Sequence, residues 1–217
     1  MDATRTEIAV VLDRSGSMES VRADTIGGCN AFLDAQVDEA GAVDVTLVQF
    51  DNEYEVVCLR QPVRVAPRLT QDSYMPRGST ALLDAIGRTM EELGARLVAT
   101  PEGKRPGKVI FVIITDGEEN ASRHFSRDRV FEMIRHQTAV YQWEFVFLAA
   151  NQDAIEAGEA LGIQPELAMS CADTPLATQA MYESLSSNLK LRRSGMKSSM
   201  SWENHDRQAQ VREGAQG

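Results

Sequence analysis

The stretch Ile8-Ala-Val-Val-Leu-Asp13-Arg-Ser15-Gly-Ser17-Met18 is an apolar run that ends in a carboxylate followed by two hydroxyls at alternating positions. An apolar run bounded by Gly and Ser reads as a buried strand. Asp13 then stands at the end of that strand, with Ser15 and Ser17 in the loop beyond it. One carboxylate and two small hydroxyls in a tight loop offer hard oxygen donors. Such donors suit Mg²⁺, Mn²⁺ or Ca²⁺, and not zinc.

Outward from this stretch, strands and helices alternate. A helical segment follows Ser17 to about residue 39, and the Gly27-Gly28 pair within it reads as close packing on the sheet. Residues 43–50 form a second strand and 54–59 a third. The Asp51-Asn52 turn between them is too short for a crossover, so this pair is an antiparallel hairpin at an edge. Pro76-Arg-Gly-Ser-Thr80 opens a helix to about residue 99, with Ser79 or Thr80 as its N-cap type. Residues 108–115 are the most hydrophobic strand of the chain and end in Asp116-Gly117. A strand this apolar reads as buried on both faces, central and parallel. A helix over 125–138, a strand over 143–149, a short helix capped from 151–153, a strand over 167–171 and a helix from about 174 to 192 complete the pattern. Pro175 falls in the first turn of that last helix.

This β-α-β-β-α-β-α-β-α-β-α order predicts an α/β fold. It is a doubly wound, mostly parallel six-stranded sheet with one antiparallel edge strand and helices on both faces, Rossmann-like in layout. In such sheets ligands bind beyond the carboxyl ends of the strands. Asp13 and Asp116 each lie just past the end of an apolar strand, so both belong to that edge. Residues 1–192 are expected to form the domain. Residues 193–217 are rich in Ser, Gln, Met and Gly and read as a polar, mobile tail, with a lone Trp202 as weak evidence of a docking residue.

Composition narrows the function. The formal charge is −10, which disfavours phosphate backbones and therefore nucleic acid, and favours cations. No apolar run is long enough to span a bilayer. The first residues carry no basic start followed by an apolar stretch, which points to a cytoplasmic protein. Cys29, Cys58 and Cys171 have neither zinc-ligand nor redox spacing and read as reduced thiols in the core. His124, His136 and His205 share no ligand spacing.

Asp13-Arg-Ser15-Gly-Ser17, then Gly-Ser-Thr80 at a helix opening, then Thr115-Asp116-Gly117 resembles the von Willebrand factor A domain and its metal-ion-dependent adhesion site. The family's Asp-x-Ser-x-Ser falls on Asp13, Ser15 and Ser17, its second-loop threonine on Thr80 and its third-loop aspartate on Asp116. The resemblance runs over about residues 6–192 and leaves the tail outside. It implies that Ser15 and Ser17 bind a metal directly and that Thr80 does so when a ligand is engaged. Asp13 and Asp116 would bind directly or through water. It also implies a non-enzymatic module in which Mg²⁺, or else Mn²⁺ or Ca²⁺, captures an Asp or Glu carboxylate of a partner protein. Cytoplasmic relatives resemble accessory subunits of ATPase-containing or metal-handling complexes.

Blander readings exist for every residue taken singly. Ser15, Ser17 and Thr80 are good helix caps, and Asp116-Gly117 is an ordinary turn signal. Their joint placement at one sheet edge favours the metal site. Asp51, Asp84, Glu118 and Glu119 read as solvated rim acids that would oppose acidic partners, and Asn151, at the same edge, reads equally as a border of the site or as a helix cap. Two other functions compete. A Mg²⁺-dependent phosphatase-like enzyme would use Asp13, but the haloacid dehalogenase pattern it resembles needs Asp-x-Asp, and Ser15 stands where the general acid belongs. Alternatively, the ion staples three loops and the tail carries the partner.

Overall fold

The two most apolar runs of the sequence lie side by side in the middle of a single sheet. β1 (Asp2–Asp13), β2 (Ala42–Phe50), β3 (Tyr54–Pro62), β4 (Pro106–Thr115), β5 (Glu144–Ala150) and β6 (Ala168–Cys171) take the order β3-β2-β1-β4-β5-β6. The structure is a computed structural model and describes residues 1–37, 41–150, 153–172 and 174–208. β1 runs parallel to β2 and β4, and β4, β5 and β6 are parallel in turn. β3 alone is antiparallel, paired to β2 at the edge, because only a tight turn joins them. The expected fold class is the observed one.

Positions 6–13 of β1 and 109–115 of β4 are buried without a break. That requires cover on both faces of the sheet. Among the described residues five α-helices supply it: α1 (Arg22–Ala35), α2 (Leu82–Ala99), α3 (Arg127–Tyr141), α4 (Ala154–Glu159) and α5 (Pro175–Arg193). α1 packs on α5, α2 packs on α3, and α4 lies along β6. α2 buries Leu82 and Leu83 and then Ile86, Met90 and Leu93 at steps of three or four, as an amphipathic helix requires. Among the described residues, no helix is long and apolar enough to cross a membrane.

The first helix departs from its expected course. A 3-10 turn over Gly16–Val21 precedes α1, and α1 ends at Ala35; the expected end near residue 39 lies outside the described residues. Gly28 faces α5 and not the sheet. A β-carbon there would stand 2.1 Å from Tyr182 Cδ2, whereas one on Gly27 would meet nothing within 4 Å. Tyr182 is 2% exposed and has no room to retreat. Gly28→Ala is therefore expected to destabilise the domain by about 1–3 kcal/mol through overpacking. Gly27→Ala is expected to stabilise it slightly, by up to about 1 kcal/mol of helix propensity. Urea unfolding of the two variants checks the opposite signs.

The segment after α5 also corrects the sequence reading. Residues 194–208 pack against the body and do not trail away from it. Met200 and Trp202 are buried. The Met200 N–H donates to Glu144 Oε2 at 2.7 Å, and the Trp202 N–H donates to the Glu166 carbonyl at 2.8 Å. Glu144 also accepts from Arg192 Nε at 2.5 Å, so one carboxylate ties this strap to both β5 and α5. Two isolated apolar residues carry no helical or strand period, so only their tertiary burial orders the strap. Residues 209–217 of the expected tail lie outside the described residues.

Candidate metal centre

β1 delivers Asp13 to the carboxyl edge of the sheet, and its neighbour β4 delivers Asp116 one residue beyond Thr115. Asp13 is fully buried. Its Oδ1 accepts from the Ser15 N–H and its Oδ2 from Thr115 Oγ1, both at 2.6 Å. The carboxylate thus pins its own loop and ties β1 to β4. Tyr74, also fully buried, donates its hydroxyl to the Asp13 carbonyl at 2.6 Å. Ser15 Oγ lies 3.1 Å from Ser17 Oγ, and Ser17 Oγ donates to Asp116 Oδ1 at 2.7 Å.

Thr80 enters from the second loop. A β-carbon on Gly117 would stand 3.1 Å from Thr80 Oγ1, 3.4 Å from Ser17 Oγ and 3.8 Å from Ser15 Oγ. Three hydroxyls from two loops therefore converge on one small space beside Gly117, which a side chain at that position would begin to fill. The loops are laced by backbone: Gly16 N–H to the Gly78 carbonyl, Arg77 N–H to the Arg14 carbonyl, and Asn120 and Ala121 N–H to the Thr80 carbonyl.

The capping roles open to these hydroxyls are filled otherwise. Ser15 makes no side-chain cap on the 3-10 turn after it. α2 starts at Leu82, and Ala81 precedes it without a side-chain cap. The loop after β4 serves that helix end from across space. Glu119 Oε2 accepts from Leu83 N–H at 2.9 Å, Ser122 Oγ from Asp84 N–H at 3.0 Å, and Asn120 Oδ1 from Thr80 N–H at 2.9 Å. The Leu83 and Asp84 N–H groups of the helix start are thus satisfied from the loop, and the Thr80 hydroxyl lies by the space beside Gly117.

Three of the four expected rim acids are committed to the scaffold. Asp51 is fully buried. Its Oδ2 meets Arg14 Nε at 3.0 Å and Arg77 Nε at 2.9 Å, and its Oδ1 accepts from Glu53 N–H at 2.6 Å. The guanidinium of Arg14, between two site residues in sequence, is thereby drawn away from the hydroxyl ring to Asp51 and to Glu55. Asp84 accepts from the N–H groups of Arg123, His124 and Phe125, each at 2.8 Å. Its partial burial raises its pKa, but those three donors outweigh it and hold it below the usual carboxylate value. Glu119 caps α2. Glu118 alone of the four is simply exposed. Asn151 lies outside the described residues.

Burial pushes Asp13 up to about 6, against the hydrogen bonds from Thr115 and Ser15 and in the same direction as the charge of Asp116. Its ionised form therefore lacks a counter-charge. Among the described residues no group of three or more His, Cys, Asp or Glu side chains could hold a metal. Any ion here must rely on two carboxylates plus hydroxyls, which is a hard-oxygen set. The donor types and the space beside Gly117 both fit such an ion. Sequence reasoning missed Thr115, Tyr74, Arg14, Glu119 and Asn120 as the residues that position the set. Thr115 had a signal, its place immediately before Asp116; the others act only through the fold.

No family model matches the sequence, and no curated protein sequence matches it. Solved structures do. A von Willebrand factor type A protein from Catenulispora acidiphila aligns at TM-score 0.54 and 13% identity, over 86% of this chain and 42% of that one. The pilus adhesin SpaC from Lactobacillus rhamnosus GG aligns at 0.61 and 15%, over 88% and 30%. Proximal thread matrix protein 1 from the mussel byssus, solved with a zinc-occupied MIDAS motif (the metal-ion-dependent adhesion site), aligns at 0.59 and 16%, over 88% and 46%. The chain spans less than half the length of each of these. At such identities the likeness is one of fold, and the chain has the von Willebrand factor A fold.

Proposed function

We propose that this protein is a non-enzymatic, divalent-cation-dependent protein-binding module. Asp13, Ser15, Ser17, Thr80 and Asp116 would hold the cation at the carboxyl edge of the sheet, and a partner's Asp or Glu carboxylate would complete the site. The observation that carries this reading is the convergence of three hydroxyls on the space beside Gly117. The zinc-occupied motif of the mussel protein and the adhesin among the similar structures support it by analogy.

The chemistry follows from the donors. Three of the five side chains are neutral, so a bound divalent ion supplies an incompletely neutralised coordination position. An all-oxygen set favours Mg²⁺, with Mn²⁺ or Ca²⁺ as substitutes, and the zinc in the mussel protein's motif means that the expected exclusion of zinc is not carried forward. Asp13 already has both oxygens engaged, by Ser15 N–H and Thr115 Oγ1. That suits a residue that orients hydroxyls and counters charge. It does not suit a phosphatase nucleophile, and Ser15 stands where such an enzyme needs a second acid. An ATPase-containing or metal-handling complex as the partner assembly rests on the sequence resemblance alone. The proposal includes a cytoplasmic setting, which accords with three buried cysteines that form no disulfide.

The test is an affinity capture from source lysate, compared in Mg²⁺, in excess EDTA, and with Thr80→Ala in Mg²⁺. A partner retained only by the wild type in Mg²⁺ is the expected result. A partner retained equally in all three lanes sinks the proposal.

A further inference from the structure

Beside Thr80 the surface opens into a groove of about 950 Å³. Ser79 and Ala81, on either side of Thr80, line its near end, and Tyr54, Ala85 and Phe125 add apolar surface. A partner chain whose carboxylate sat at the hydroxyl ring would have its neighbouring residue at this groove.

The charges along the groove are mostly spoken for. Asp51 is buried beneath Arg14 and Arg77, and Asp84 is saturated by three backbone donors. Glu53 pairs with Arg77 at 2.6 Å and Glu91 with Arg129 at 2.7 Å. Arg88 lies over the Tyr54 ring at 4.1 Å and pairs with Glu92 at 2.8 Å. Arg123 is different. It lines the groove, it is exposed, and it has no ion pair among the described residues. Its backbone is fixed by Asp84, as is that of the adjacent exposed His124. Among the described residues the groove therefore presents Arg123 as an uncommitted cation on a loop whose backbone is already ordered, so pairing orders its side chain and not the loop.

We infer that this groove receives a second acidic side chain of the partner, flanking the metal-bound carboxylate, and that Arg123 pairs with it. The partner segment is thus an acidic peptide with at least two carboxylates: one for the cation and one for Arg123. This specificity rests on the carboxylate-capture reading above. It runs against the expectation that the rim repels acidic partners, because three of the four rim acids (Asp51, Asp84 and Glu119) are bonded to the scaffold and only Glu118 is left exposed.

The experiment titrates Mg²⁺-loaded protein with short acetylated peptides and follows amide chemical shifts by NMR. Each probe carries an aspartate followed, after zero, one or two glycines, by glutamate; matched probes carry glutamine instead. At least one glutamate probe is expected to bind about 2- to 5-fold tighter than its glutamine match, the range of an exposed ion pair. That preference should vanish in Arg123→Gln and shrink in high salt. Equal affinity for glutamate and glutamine probes at every spacing overturns the inference while leaving carboxylate capture in place. So does a preference that survives Arg123→Gln. Absence of Mg²⁺-dependent shifts from every probe overturns carboxylate capture and this inference with it.

Discussion

Asp13→Asn is expected to weaken Mg²⁺ or Mn²⁺ binding by at least about 100-fold, the upper end of what loss of a ligand-orienting group costs, while the metal-free domain becomes more stable at neutral pH. The two effects have one cause. Burial raises the Asp13 carboxyl from 3.8 to about 6, so the folded state holds this proton more tightly than the unfolded chain does. The stability associated with it is full below about pH 4, falls as the pH rises, and is gone above about pH 6. One pKa unit corresponds to about 1.4 kcal/mol, so the loss is on the order of 3 kcal/mol. Asparagine carries no charge and escapes that loss. In the wild type a bound cation stabilises the ionised form, so added Mg²⁺ should raise the melting temperature most above pH 6 and least near pH 4. Calorimetric titration and thermal melts across this window check both signs. A variant that loses stability and keeps its cation affinity would show that Asp13 is only a structural tie.

Asp51→Ala is expected to destabilise the domain by about 3–5 kcal/mol, the cost of removing one partner from a buried ion pair. Arg14 is 5% exposed and would keep only Glu55, whose side chain is half in water. Arg77 is half exposed and can turn to solvent, so its own contribution is small. The same substitution removes the acceptor for Glu53 N–H and loosens the turn whose Asp51 carbonyl accepts from Ala81 N–H. Thr80 sits next to Ala81, so cation affinity should fall together with stability. The double variant Asp51→Ala/Arg14→Leu is expected to recover part of the stability, because no buried charge is then left unpaired. Urea unfolding of the single and double variants measures the coupling, and a mild effect of Asp51→Ala would show that Glu55 suffices for Arg14.

The site and its supports answer to different kinds of information. Asp13, Ser15, Ser17, Thr80 and Asp116 could be singled out as candidates because each lies beside a periodic element where local rules place the chain: just past a strand end, or, for Thr80, just before a helix. What holds them could not. Tyr74 reaches the Asp13 carbonyl across 61 positions, Glu119 caps α2 across 36, and Arg14 pairs with Asp51 across 37. No local propensity encodes such pairs. Three of the four rim acids departed from expectation for the same reason, Glu118 being exposed as expected: an acidic side chain in a loop reads as solvated until the fold supplies its donors.

By itself the sequence determined the strand and helix order, the antiparallel edge and the hard-oxygen donor set, because apolar periodicity, connection length and side-chain chemistry are local properties. The tertiary structure alone decided that Gly28 meets Tyr182 and that the strap through Trp202 is packed. It also decided that Asp51, Asp84 and Glu119 serve the scaffold and that Arg123, without an ion pair among the described residues, lines the same groove as Ser79 and Ala81. These depend on which surfaces meet once the sheet is closed over by its helices, and burial is a property of that meeting.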